Sequence, residues 1–156
     1  MTRALAFLEK GLRGAVALLV VAIVLLVSAQ VTFRYALQAP LIWSEELTTL
    51  SYQWVSFLGA ALAVRHRGHY GVDFVVRFLG PRWHPPLAWA GHAVVWLLGL
   101  FMIVFGGRLV ESTASQVYPT LGFSVGVGYS ILPLAGVLFL LMDIAVLLEP
   151  GEAPRQ

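Results

Sequence analysis

The chain has 156 residues, 59% of them hydrophobic and 12% charged, with a formal net charge of +2 and a mean hydropathy of +0.83. Soluble domains are about 45–50% apolar and about 25% charged, so this composition excludes an ordinary soluble domain and points to a single membrane domain spanning residues 1–156. The small net charge implies no nucleic-acid partner, and the absence of cysteine excludes disulfides, thiolate metal sites and cysteine nucleophiles.

The first apolar run, residues 14–33, would rise about 30 Å as a helix, the thickness of a bilayer core. A competing reading is a cleaved signal peptide. Arg3, Lys10 and Arg13 would be its basic start, and Val27-Ser28-Ala29 its small-residue cleavage site. The run is long for that role. The second span is expected over 45–64, opened by Trp43 and by Ser44 as N-cap, with Glu45 and Glu46 at the positive helix N-terminus. Glu45, Thr49, Tyr52, Ser56, Gly59 and Ala63 follow at steps of three and four, so they share a small or polar side. Leu47, Leu50, Trp54, Phe57 and Leu58 form a bulkier side. In lipid, small and hydroxyl residues mark close helix packing, either within the subunit or against a partner.

In the middle loop, residues 72–79 are too short to span and read as a segment lying at the interface. The third span, 87–109, carries Gly91, Gly99, Gly106 and Gly107, which permit close backbones. The fourth, 129–148, holds Pro133 near its start, where a missing donor costs least. The expected fold is therefore all-α, with four transmembrane helices and a polar tail. Arg3, Lys10, Arg13, Arg65, Arg67, Arg77, Arg82 and Arg155 fall on one side, against Arg34 and Arg108 on the other. That asymmetry places both termini and the middle loop in the cytoplasm.

No serine lies in a recognisable order with histidine and carboxylate, and no glycine-rich phosphate loop is followed by lysine, so no enzyme activity is expected. Glu45 and Glu46 are adjacent and are not placed as an acid/base pair. Of the histidines, only His92 falls within a span. A haem between helices needs two ligands at matched depth, so no cofactor is expected. Asp143 is the one candidate for an embedded charge; the favoured reading is that it reaches the headgroups or pairs with a basic residue of the middle loop. A transporter working alone needs polar groups or broken helices at the midplane, and four smooth helices without them suit an accessory subunit. A small dimeric drug exporter would need a carboxylate in the first helix, and residues 14–33 contain none.

The chain carries Phe33-Arg34-Tyr35, then Trp43-Ser44-Glu45-Glu46-Leu47, then Phe57-Leu58-Gly59-Ala60-Ala61-Leu62-Ala63-Val64-Arg65. Gly68-His69, Val72-Asp73 and Leu132-Pro133-Leu134 follow. In these elements it resembles the small membrane subunit of tripartite ATP-independent periplasmic (TRAP) transporters, the DctQ-like family. The resemblance implies a bacterial inner-membrane accessory subunit of a sodium-coupled system for organic acids. Its implied partners are a large elevator-type membrane subunit, a periplasmic substrate-binding protein and membrane lipids. The length and polar tail point to an unfused subunit. Candidate interface or structural residues are Arg34, Trp43, Glu45, Glu46, Ser56, Gly59, Ala63, Arg65, His69 and Asp73. The alternative is a membrane anchor for a redox or other membrane complex.

Overall fold

The computed structural model describes residues 2–67 and 84–148. The interfacial segment expected over 72–79 lies outside the described residues, as do His69 and Asp73. Helix α1 runs Thr2–Tyr35, α2 Ile42–Arg67, α3 His84–Thr113, α4 Val125–Tyr129 and α5 Ile131–Leu148. Among the described residues, four stretches are long and apolar enough to cross a membrane: Leu5–Tyr35, Ile42–His66, Pro85–Thr113 and Val125–Leu148. All four expected spans are therefore present, and the protein is a multi-pass membrane protein.

The helix ends have local causes. Helix α1 stops in a left-handed turn at Gln38, with φ of 51°. There the Ala39 N–H reaches back to the Phe33 carbonyl at 3.1 Å, which satisfies an otherwise orphaned acceptor. Pro40 then blocks a continuous helix, and α2 starts at Ile42. Ser44 is therefore not the N-cap expected from sequence. It lies inside the first turn, fully buried, with its hydroxyl donating to the Leu41 carbonyl at 2.6 Å. The fourth span is not smooth either. Pro133 has no N–H to give the Tyr129 carbonyl, and the helix breaks at Ser130 between α4 and α5.

The helices pack in the order α1–α2–α5–α3, an open row instead of a closed bundle. Helix α5 is the centre. Its Ile131, Ala135, Leu138 and Phe139 form the core with Leu58 and Ala61 of α2 and Met102 of α3. None of the most apolar stretch of α1 is buried within the chain, against 44% for that of the fourth span. Helix α1 thus stands at one end of the row and α3 at the other.

The α3–α5 crossing is the tightest contact because glycines face each other there. A Cβ on Gly136 would stand 2.6 Å from the Gly99 carbonyl oxygen, and one on Gly99 3.1 Å from the Gly136 carbonyl. Backbone cannot yield as a side chain can. Gly136→Ala is expected to lower stability by about 1–3 kcal/mol through forced separation of α3 from α5. Gly59→Ala, where a Cβ would meet no atom within 4 Å, should stay within about 0.5 kcal/mol. Thermal unfolding of the purified variants in detergent measures both.

Candidate interaction surface

Two polar belts hold α1 onto α2, one at each end of the hairpin. At the turn end, Arg34 Nη2 pairs with Glu45 Oε1 at 2.8 Å, and Gln30 Nε2 donates to the same oxygen at 3.1 Å. At the tail end, Glu9 of α1 pairs with Arg13, with Arg65 Nε at 3.7 Å and with His66 Nε2 at 3.1 Å. From Arg13 to Arg34 α1 rises about 31 Å, and from Glu46 to His66 α2 rises about 30 Å. Both figures match the hydrocarbon thickness of a bilayer. The belts therefore sit at the two headgroup boundaries, where charged side chains keep their hydration.

The adjacent glutamates divide their work. Glu45 turns back to α1. Glu46, a quarter-turn on, reaches the loop between α3 and α4 and accepts from the backbone N–H of Thr120 at 3.2 Å and of Leu121 at 3.1 Å. That loop is a tight antiparallel turn, closed by a Val117–Ser124 bridge and by Gly122 in the left-handed region. Tyr118 packs on Phe123 within it. Burial, then the neighbouring Tyr129 and Glu46, push the Tyr118 hydroxyl above its usual range, so it stays protonated. The tandem Glu45-Glu46 thereby joins α2 to α1 and to the loop after α3 at the turn end.

Helix α2 has two unlike long faces. Ser44, Ser51, Leu58 and Ala61 are buried. The opposite face carries Glu45, Thr49, Tyr52 and Ser56, all exposed, with Gly59 and Ala63 half-buried. Tyr52 is 65% exposed. The Thr49 and Ser56 hydroxyls donate to the carbonyls four residues back, so those two are satisfied within the helix. Of the two packings that the small-residue pattern allows, the chain's own bundle does not use Gly59. Trp43 is 43% exposed at the turn end.

A polar contact between two spans lies within their length. Asp143 of α5, 4% exposed in its side chain, accepts from Trp96 Nε1 at 2.7 Å and meets His92 Nδ1 at 2.8 Å. This corrects the expectation that Asp143 reaches the headgroups or pairs with the middle loop. Trp96 lies one turn after His92 on α3, so both present polar edges to one depth of α5. Each carboxylate oxygen has a donor, and the contact locks α3 to α5. The spacing of His92 and Trp96 in the third span was the available signal. The Glu9–Arg13 step of four residues was the corresponding signal for the tail-end belt.

Residues 23–150 match the family described as tripartite ATP-independent periplasmic transporters, DctQ component. The chain is 29% identical over 133 residues to the sialic acid TRAP transporter permease protein SiaT of Haemophilus influenzae (strain 86-028NP), covering 85% of this chain and 21% of that protein. It is 27% identical over 127 residues to the sialic acid TRAP transporter small permease protein SiaQ of Vibrio cholerae serotype O1 (strain ATCC 39315 / El Tor Inaba N16961). That match covers 81% of this chain and 73% of the relative. The chain thus spans about a fifth of the first relative and most of the second.

The glutamate pair gives a separable prediction. Glu46→Gln should weaken the loop contacts by about 1 kcal/mol, raising amide exchange at Thr120 and Leu121 several-fold. Glu45→Gln should leave those two amides unchanged. Hydrogen–deuterium exchange with mass spectrometry distinguishes the two.

Proposed function

Because the chain belongs to the DctQ component family and is a small membrane subunit of a TRAP transporter, we propose that it is the stationary accessory subunit of a sodium-coupled system for organic acids. In this reading a periplasmic binding protein delivers the solute. A large elevator-type subunit carries solute and sodium, and this chain packs against that subunit in the bacterial inner membrane. Both termini face the cytoplasm, as the Lys/Arg asymmetry favours. The relatives' names specify sialic acid, a sugar acid, which supports the organic-acid class.

The observation that carries the reading is the open face of α2. In hydrocarbon a bulky apolar surface is content with lipid, whereas a smooth small-residue face suits another helix at close range. Thr49, Ser56, Gly59 and Ala63 form such a face, with Tyr52 standing out from it, beside the exposed length of α1. We assign it to the large subunit. Arg34 and Glu45 fix the hairpin at one end, and Arg65 helps fix it at the other. As an exposed pair Arg34–Glu45 contributes only about 0–1 kcal/mol, so its part is orientation. Trp43 anchors the turn end at the interface.

A scaffold of this shape has a mechanical use. An elevator domain moves relative to something held still, and a flat row of helices widens that stationary part and resists co-rotation in the bilayer. Asp143 suits the same role, since its two oxygens hold Trp96 and His92 instead of standing open to a cation.

Tagged chain, solubilised gently from cells that carry the whole transporter, should co-purify with a large polytopic subunit. Ser56→Leu with Gly59→Leu should lower that recovery roughly tenfold, while leaving the chain folded. Solute uptake by this chain alone in liposomes would contradict the accessory role.

A further inference from the structure

The tail-end belt has a feature that holding α1 to α2 does not require. The Glu9 carboxylate lies at the bottom of the cluster, 16% exposed in its side chain, and is shared among Arg13, Arg65 and His66. Two of the groups stand outward: Arg13 is 57% exposed and His66 52%. Arg13 Nη2 also lies 2.9 Å from His66 Nε2, so the guanidinium and the imidazole are held together. A guanidinium has five N–H donors in a planar fork. One carboxylate shared three ways leaves Arg13 with donors and charge on its exposed side. Lys10 is exposed on the same turn.

The apolar surface above Arg13 is equally specific. Val20, Val24, Val27 and Val31 recur at steps of seven, four, three and four from Arg13, so they continue its side of α1 toward the turn end. All four are exposed. From Arg13 to Val24 the helix rises about 16 Å, close to the depth of one leaflet. A cationic fork at the headgroup boundary is thus continuous with a ridge of branched side chains one acyl chain deep.

We propose that Arg13 and His66, set on Glu9, form a binding site for the phosphate of an anionic phospholipid, whose acyl chains lie along the valine ridge of α1. The ligand class follows from the two halves of the site. The fork suits a phosphate oxygen pair, and the ridge requires a hydrocarbon tail on the same molecule. A free anion would use only the first half. The site does not depend on the partner assigned above: it lies on α1 and at the end of α2, within this chain alone.

The test uses the full chain purified in mild detergent and incubated with phosphatidylglycerol and phosphatidylcholine of identical acyl chains. Native mass spectrometry then counts the retained lipid. The expected result is several-fold preference for phosphatidylglycerol, lowered about fivefold by Arg13→Gln. Arg108→Gln removes a cation from the other end of α3 and should change nothing. Arg13→Lys keeps the charge but not the fork, and should restore part of the retention. If Arg13→Gln fails to yield a monodisperse protein, His66→Gln replaces it with the same expected direction. Equal retention of the two lipids by the parent chain would overturn the proposal. So would equal losses from Arg13→Gln and Arg108→Gln, or displacement of phosphatidylglycerol by millimolar inorganic phosphate.

Discussion

Hydrocarbon removes the force that assembles soluble bundles. An apolar helix gains little by trading lipid tails for another apolar helix, so attachment rests on close backbones and on polar contacts. Two of the three neighbouring pairs in this row use those means, and α2 meets α5 through Leu58 and Ala61 of the apolar core. Helices α3 and α5 meet glycine to glycine and are pinned by Asp143 to His92 and Trp96. Helix α1 has none of its most apolar stretch fully buried; Leu8, Leu12, Val16 and Leu19 pack partly on the core, and ionic groups tie its two ends to α2. The spacing of those groups matches the hydrocarbon thickness of a bilayer.

The open row follows from this division. Helix α1 lays Leu8, Leu12, Val16 and Leu19 on the core, and the side of α2 that carries Thr49, Tyr52 and Ser56 stays exposed. Because α5 carries most of the packing, α2 and α3 sit on either side of it and do not close around it. The result is a plate with a pinned half, α3 with α5, and a hairpin half, α1 with α2. Glu45 and Glu46 join the two at the turn end, one reaching α1 and the other the loop that follows α3. In the proposed reading, the uncovered side of α2 is where the larger subunit would sit. A closed bundle would have spent that face on itself.

Much of this was readable in the residues. Four apolar runs gave four spans, and the six-residue turn between α1 and α2 brings Arg34 and Glu45 within reach of each other. Glycines in the third span gave a close crossing, although Gly99 and Gly106 meet α5 and Gly91 and Gly107 do not. Other features depended on helix order, which periodicity does not encode. Asp143 could find His92 and Trp96 only because α5 lies against α3. Glu46 found its acceptor role only because the loop near Thr120 folds over the start of α2. Glu9 was passed over because it precedes the first apolar run, whereas α1 continues unbroken back to Thr2. The N-cap expected at Ser44 failed for a local reason: Pro40 sets the helix start earlier, and the serine is drawn inside the first turn.

The central claim is the open row, and it can be measured directly. The chain has no cysteine, so single spin labels can be introduced at Val24 on α1 and Leu98 on α3 without background. Neighbouring helices lie about 8–10 Å apart, so α1 and α3 at opposite ends of a row should give a mean separation above about 20 Å in lipid nanodiscs. A dominant distance near about 10 Å would mean that α1 and α3 are neighbours in a closed bundle, and the account of an uncovered face would fall with it.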